Sequence, residues 1–360
     1  MTWQGIEGHD DVIERFRLAI SRNRLASTFL FVGPAGIGKR AFAEKLAQAL
    51  LCPHVDEKTL VPCGRCDSCV QVGSHTHPDL VIIEKPPDKS FIPLAAFVGD
   101  DQRRMREGLC HDIALKPFMG GRKVAIIDDA DYLNEESANC LLKTLEEPPP
   151  LSVLILIGTT AEQQLATIRS RAQTIRFHPL APKAVAAILL ARGLASDRRE
   201  AERLAEFSEG SVRRAVELSD DELWSFRREL LAALGSARFD SVALAGQLAS
   251  FVEAAGKDAG SRRARARQIV GFTVDFYRQV LRRLCTLAPE GDAELVRAAE
   301  KAAADWPFGA LAAAAAIDRS LEVLAHIDRN AYLPTLLECW LDDLARIVES
   351  GQPVPNYAAS

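Results

Sequence analysis

The segment GPAGIGKR, residues 33–40, has the residue types and spacing of a phosphate-binding loop. It follows the apolar run TFLFV and precedes a helical pattern, which is the strand, turn and helix context that such a loop requires. Gly33, Gly36 and Gly38 permit backbone angles that turn successive N–H groups inward, and Lys39 reaches the outer phosphates. The alternative is a glycine-rich turn with an exposed lysine, and the downstream motifs make it the weaker interpretation.

The last position of this loop departs from the pattern. Phosphate loops carry Ser or Thr there to hold Mg²⁺, whereas this chain has Arg40. A guanidinium cannot ligate a cation, and near the metal position it repels Mg²⁺ and attracts phosphate. In the alternative the side chain points to solvent and the metal still lacks a ligand. The run KVAIIDDADYL supplies the carboxylates Asp128, the candidate metal-holding residue, and Asp129. The sequence therefore predicts a loop that binds nucleotide and hydrolyses it poorly.

Four cysteines lie close together in the sequence, with ten, two and two residues between them. This spacing is typical of four thiolates around a structural, tetrahedral Zn²⁺, and four free thiols are the alternative. The four are Cys52, Cys63, Cys66 and Cys69. Nearby histidines are predicted to lie at the surface or to contact the ligands rather than the metal: His54, His75 and His77.

Composition narrows the class of protein. The chain has 360 residues, of which 48% are hydrophobic, and a formal net charge of -5. This length predicts two or three domains, and this charge argues against a uniformly basic nucleic-acid coat. No apolar signal region opens the sequence and no long apolar run occurs, so we expect a cytoplasmic protein.

The pattern of apolar runs predicts an α/β fold followed by helices. Near-continuous apolar runs alternate with helical patterns in the first half, which indicates a parallel sheet covered on both faces. We predict an α/β core with a zinc module over 1–178, a small helical lid over 179–220 and an all-helical domain over 221–360. The arginine-rich segment 256–268 is either a contact for phosphate or a partner, or, more often for such runs, a solvated loop and helix start.

A family resemblance follows from three motifs taken together. The stretch SANCLLKTLEEPPP, residues 137–150, lies between the phosphate loop and TIRSRA, residues 167–172. This combination closely resembles the bacterial sliding-clamp loaders, which are AAA+ proteins, over essentially the whole chain. The resemblance implies an AAA+ core, a lid and a C-terminal collar domain through which subunits assemble. It also implies a zinc module like that formed by the four cysteines.

The resemblance assigns roles to individual residues. Asp129 stands where ring-type ATPases carry Glu, and a carboxylate displaced by about an ångström can cost roughly a hundredfold in rate. Thr160 matches the first phosphate sensor, although a threonine at a strand end is nearly as good an interpretation. Arg213 matches the second sensor of the lid, and charge on a solvated helix face is the alternative. Arg171, in SRA where the family has Ser-Arg-Cys, matches the arginine finger that reaches a neighbour's γ-phosphate.

These observations favour a stationary clamp-loader subunit with weak or absent ATPase activity of its own. It would join the gamma or tau motor subunits and the delta subunit, and act through the complex on the sliding clamp and primer-template DNA. The alternative within the fold is an active gamma/tau-like ATPase that tolerates Arg40. A third class, a zinc-dependent nucleic-acid binding module, is disfavoured by the net charge and the motifs.

Overall fold

The computed structural model describes residues 3–56, 58–86, 89, 91–104, 106–119, 121–236, 239–304, 308–329 and 331–351. The chain forms two compact units, Met1–Ser219 and Asp220–Ser360. Over the described residues, no helix combines the length and the apolar character that crossing a membrane requires.

A five-stranded parallel sheet forms the centre of the first unit. Its spatial order is β2-β3-β4-β1-β5, and every described pairing is parallel. The residues of β1, β3 and β4 are buried throughout, which explains why their sequences are continuous apolar runs. The strands are β1 Thr28–Val32, β2 Leu80–Ile83, β3 Lys123–Ile127, β4 Ser152–Gly158 and β5 Gln173–Arg176. The predicted parallel sheet is confirmed.

Helices cover both faces of this sheet. One face carries an aromatic core that includes Phe16, Phe31 and Phe42, and the other packs Leu30 and Leu156 in a second core. The helices of the unit are α1 Asp10–Ser21, α2 Lys39–Leu51, α3 Asp67–Gly73, α4 Ala95–Val98, α5 Leu109–Ala114, α6 Glu135–Glu146, α7 Ala166–Arg169, α8 Pro182–Ala191, α9 Arg198–Phe207 and α10 Val212–Glu217. Two short 3₁₀ helices span Asp101–Arg103 and Ala130–Tyr132. This arrangement is the predicted α/β core with a parallel sheet, and the phosphate-loop motif follows β1.

The predicted lid, helices α8 to α10, belongs to the same compact unit as the core. Pro182 begins α8, where a missing backbone N–H costs nothing. At the start of α10, the backbone N–H of Val212 donates to the carbonyl oxygen of Gly36 at 3.0 Å. The lid is therefore hydrogen-bonded directly to the phosphate loop.

The second unit is all-helical, as predicted. Its helices are α11 Asp221–Leu234, α12 Ser241–Ala254, α13 Ala259–Leu284, α14 Ala293–Ala304, α15 Gly309–Asp328 and α16 Leu333–Ser350. Its core buries Phe276, Tyr277 and Trp340 completely. The C-terminal residues 352–360 of the predicted collar domain lie outside the described residues.

The arginine-rich segment is more ordered than the sequence suggested. Helix α13 begins at Ala259, so most of the segment is helical rather than a solvated loop. Arg265 pairs with Asp220 at 2.5 Å and Arg267 with Asp328 at 2.6 Å. These arginines bind carboxylates of their own unit, which weakens the case for a phosphate-backbone contact.

Candidate functional site

The phosphate loop borders a cavity of about 690 Å³, which is lined by the ends of β3 and β4, the N-terminal segment and the lid. That volume is typical of pockets for small ligands. The loop needs its glycines. Gly33 has φ 152° and a side chain there would meet the carbonyl oxygen of Phe177 at 2.4 Å. Gly38 has φ 96° and directly precedes α2, so the N-terminus of that helix faces the cavity.

The amine of Lys39 is buried inside the loop. Its Nζ donates to the carbonyl oxygens of Gly33 at 2.5 Å and Pro34 at 2.7 Å. Burial lowers the pKa of Lys39 to about 8, against the nearby carboxylates of Asp131 and Asp128. Lys39 thus lies where an anion bound by the loop would meet it.

The guanidinium of Arg40 lies against the candidate metal-holding carboxylate. Its Nη1 donates to Asp128 Oδ2 at 3.2 Å and to Glu84, and its Nε donates to Glu44 at 3.0 Å. Burial opposes the charge, but the hydrogen bonds to Glu84 and Glu44 outweigh it and raise the pKa of Arg40. The alternative in which this side chain points freely into solvent does not hold in the structure.

Both carboxylate oxygens of Asp128 already have partners. Oδ2 accepts from Arg40, and Oδ1 accepts the backbone N–H of Asp129 at 3.0 Å. Asp129 has φ 56°, a left-handed conformation that is uncommon for a residue with a side chain. Burial and then the charge of Asp128 raise the pKa of Asp129. The predicted pair of carboxylates is present, but Asp128 is bound by Arg40 and Asp129 is partly desolvated.

A Mg²⁺ ion does not fit this constellation. Magnesium requires near-ideal octahedral oxygen geometry, and phosphate loops supply a hydroxyl and an acidic residue to it. Here the hydroxyl is replaced by Arg40, whose positive charge is bonded to the acidic residue that would hold the ion. With Arg40 in this position, the site lacks the ligand set that Mg²⁺ needs.

The threonine predicted as a phosphate sensor and its neighbour have different surroundings, and the sensor role of Thr160 stays a prediction. Thr160 is exposed and its hydroxyl accepts only a weak 3.3 Å bond from the backbone of Gln163. Thr159 lines the cavity, and its hydroxyl and its N–H both donate to Asp131 Oδ2 at 2.8 Å. The sequence motif places both threonines together and carries no signal for which one faces the phosphates.

Three further cavity residues have no sequence signal: His9, Ile6 and Ile188. His9 is buried, donates from Nε2 to the carbonyl oxygen of Ile37 at 2.8 Å, and has its pKa lowered by burial. Ile6 and Ile188 bring apolar surface from the N-terminal segment and the lid. Arg213 of the lid also lines the cavity, as its predicted sensor role requires. These segments meet only in the folded chain, so no motif spacing could relate them.

Arg171 lies elsewhere on the first unit. It follows α7, its side chain is 32% exposed, and it is not among the residues that line the cavity. Its Nη2 donates to Glu146 at 2.6 Å, and its Nη1 donates to the carbonyl oxygen of Thr167 and to Ser170 Oγ, both at 3.1 Å. This arginine is held at the surface, separate from the chain's own phosphate loop.

The four predicted cysteines meet between α2 and α3. Their sulfur atoms all lie within 4.8 Å of one another, and the pairs Cys52/Cys66 and Cys63/Cys69 are 3.9 Å apart. A tetrahedral zinc ion with Zn–S bonds of about 2.3 Å places its sulfur ligands about 3.8 Å apart. Backbone N–H groups of Cys63 and Cys69 point at Cys52 and Cys66 sulfur atoms. The cluster can therefore hold a tetrahedral metal ion.

His77 supports the cluster without joining it. Its Nδ1 accepts the backbone N–H of Asp79, and its Nε2 is 3.0 Å from the hydroxyl of Ser68, next to Cys69. The Ser68 hydroxyl donates to the carbonyl oxygen of Leu51, next to Cys52. This buried chain of hydrogen bonds fixes α3 against the end of α2, in agreement with the supporting role predicted for the histidine.

Comparison with known proteins relates the first unit to one family. A family profile described as "DNA polymerase III, delta subunit" matches residues 8–181. The chain is 38% identical over 191 residues to DNA polymerase III subunit delta' of Pseudomonas aeruginosa, and 33% identical over 214 residues to subunit delta' of Bacillus subtilis. It is 31% identical over 229 residues to subunit tau/gamma of Haemophilus influenzae.

These matches span 53%, 59% and 62% of this chain. They span 55% and 60% of the two delta' relatives and 31% of the tau/gamma relative. Residues 8–181, which the family profile matches, contain the phosphate loop, the acidic strand end and the surface arginine. Over residues 8–181, just under half of its length, the chain is therefore similar to the DNA polymerase III delta-subunit family, and of the three relatives named here the two delta' subunits have the higher identity to it.

Proposed function

We propose that this protein is a stationary subunit of a DNA polymerase III clamp loader, that its own pocket does not turn over ATP, and that Arg171 acts on the ATP of a neighbouring subunit. The observation that carries the proposal is the bond between Arg40 and Asp128, which puts a protein cation where hydrolysis needs a metal. Arg171 complements it, since it lies at the surface and outside the chain's own cavity.

The partners follow from the family. The relatives are named as delta' and tau/gamma subunits of DNA polymerase III, so the neighbouring ATP would belong to a gamma or tau motor subunit. A delta subunit would complete the loader, and the assembly would place a sliding clamp on primer-template DNA during replication in the cytoplasm. The all-helical second unit, Asp220–Ser360, would serve as the collar that holds the subunits together.

We also propose that the cysteine cluster holds one structural Zn²⁺. Among the described residues of 52–69, Leu60 is a buried member of the aromatic core and Val55 and Val61 pack against that core, and a four-thiolate metal would order the rest of the segment. The ion would stabilise this segment and take no part in chemistry, because four protein ligands leave no open position.

The test is ATP turnover by a reconstituted loader that contains the Arg171→Ala variant. An arginine finger contributes about 10³ to 10⁵ in rate, so single-turnover hydrolysis at the adjoining motor site should fall by about 10³. Arg169→Ala, two residues away at the end of α7, is the matched control and should leave the rate unchanged. Equal rates for wild type and Arg171→Ala in an assembled loader would remove the trans-acting role.

The alternative, an active gamma/tau-like ATPase, has some support in the complete loop glycines and Lys39 and in the 31% identity to tau/gamma. It predicts magnesium-dependent turnover by this chain alone. The position of Arg40 argues against it, and the isolated protein can decide between the two.

A further inference from the structure

Arg40 does more than replace the hydroxyl that would bind the metal, because its guanidinium also binds several carboxylates. Three carboxylates surround one guanidinium: Glu44 on the same helix, Glu84 after β2 and Asp128 after β3. Nε and Nη1 make all of these bonds, and Nη2 has no protein partner among the described residues. Because the residue also lines the cavity, this second amino group can reach a ligand there.

We propose that the pocket binds a nucleoside diphosphate or triphosphate without any divalent cation, with the guanidinium of Arg40 as the fixed positive charge between Asp128 and the phosphates. The proposal rests on the phosphate-binding role of residues 33–40 and is independent of Arg171. According to this proposal, the site cannot hold magnesium but still binds the nucleotide.

Electrostatics favour a resident guanidinium over an exchangeable ion. Of the three carboxylates that Arg40 binds, Glu84 and Asp128 line the cavity and would face the phosphates of a ligand if Arg40 were absent. The lining would then offer the cations Lys39, Arg192 and Arg213 to offset them. With Arg40 bound to all three, the guanidinium neutralises part of this charge and still offers N–H donors that suit phosphate oxygens. An incoming Mg²⁺ would have to displace it from Asp128 and would meet its positive charge.

The cavity favours a nucleotide over inorganic phosphate. Beyond the loop, its lining includes the apolar side chains of Ile6, Ile188 and Leu194, which can cover a base. A cavity of about 690 Å³ is larger than a phosphate ion requires. We therefore use ADP as the probe, since it cannot be hydrolysed during the measurement.

The test is calorimetric titration of the full chain with ADP, once in excess EDTA and once in excess magnesium chloride. We expect the wild type to bind ADP in EDTA at least as tightly as in magnesium. Arg40→Ser should bind about ten- to hundredfold more weakly in EDTA, because a charge-assisted hydrogen bond is lost and the carboxylates are exposed to the ligand. Magnesium should restore its binding, since Ser and Asp128 then form the usual pair of ligands.

Arg15→Ser is the matched control, because it removes one exposed arginine of α1 that does not line the cavity. It should behave as the wild type in both buffers. Thermal unfolding checks the fold of each variant and gives a second measurement. Magnesium without nucleotide should raise the unfolding temperature of Arg40→Ser more than that of the wild type, since only the variant leaves the acidic residues free for the ion.

The proposal is overturned if the wild type binds ADP only when magnesium is present, or binds it in neither buffer. It is equally overturned if Arg40→Ser binds as tightly as the wild type in EDTA. None of these results touches the reconstituted-loader experiment on Arg171, so a failure here and a failure of the trans-acting role can be told apart.

Discussion

The first unit contains two places where a cation is expected, and they are built in opposite ways. At the cysteine cluster, four sulfur atoms lie within 4.8 Å of one another, so the protein supplies ligands for an ion. In the nucleotide pocket, the protein supplies the charge itself, because Arg40 binds the carboxylate of Asp128. A phosphate loop can therefore keep its backbone while a single side chain, here Arg40, changes which cation lies beside the acidic residue.

The largest expected effect concerns the cysteine side of this comparison. Cys69→Ala should remove the bound zinc, one ion per chain in the wild type, because a buried ligand of the tetrahedral set is lost. Structural zinc in small peptides contributes about 10 kcal/mol or more to folding, so the segment 52–69 should become sensitive to proteolysis. Metal analysis and limited proteolysis check both results.

Cys285→Ala is the matched control, since Cys285 is an exposed cysteine of the second unit, outside the cluster. It should keep the zinc and the protease resistance. If pure wild-type protein contains no metal, the four-thiolate site and with it the comparison of two cation sites fail.

The next effect tests the charge in the pocket through pH. Because burial holds the pKa of Lys39 at about 8, the amine is protonated below that pH and neutral above it. A bound phosphate needs the protonated form, so ADP affinity should stay level below about pH 8 and fall about tenfold per pH unit above it. Titrations over this range in EDTA measure the change.

The Lys39→Arg variant shows whether the pH dependence comes from Lys39 or from another titrating group in the cavity. An arginine does not titrate in this range, so the variant's affinity should not follow the same decline. A wild-type affinity that stays constant well above pH 8 would show that Lys39 does not contact the phosphates.

A smaller effect tests how closely the lid packs on the loop. Gly36 has φ 76°, and a methyl group there would lie 2.6 Å from Arg213 Cβ and 2.3 Å from Ser211 Oγ. Gly36→Ala should destabilise the protein by about 2 to 4 kcal/mol through left-handed strain and overpacking. Gly193→Ala has a similar φ of 63° and meets nothing within 4 Å, so it should cost only the strain, about 1 to 2 kcal/mol. Equal losses in urea denaturation would contradict the close contact.

The smallest expected effect is the difference in stability between variants of the two neighbouring threonines. Thr159→Val removes a hydroxyl that donates to Asp131, and the loss should be about 1 kcal/mol of stability. Thr160→Val changes an exposed side chain and should stay within about 0.5 kcal/mol of the wild type. Urea denaturation measures both losses, and the reverse order would contradict a stabilising bond from Thr159 to Asp131.

The parts of the fold that sequence could predict are those fixed by local pattern. Near-continuous apolar runs predicted the parallel sheet, and the spacing of four cysteines predicted the cluster, because neighbours along the chain decide both. Three features could not be predicted from local pattern: the bonds from Arg40 to Glu84 and Asp128, the bond from Thr159 to Asp131, and the position of Ile6 in the cavity lining. Each depends on segments that are distant in sequence and meet at one end of the sheet.

The segment 256–268 shows the opposite case. Its composition suggested a solvated run, but Asp220 and Asp328 pair with two of its arginines. Composition alone could not reveal partners contributed by other parts of the helical unit.

The most direct test of the account is steady-state ATP hydrolysis by the isolated chain in the presence of magnesium, compared with its Lys39→Ala variant. We expect the wild type and the variant to hydrolyse ATP at the same rate, which equals the rate in buffer without protein, because Arg40 lies where the reaction needs a metal ion. Magnesium-dependent turnover by the wild type that disappears in Lys39→Ala would contradict it.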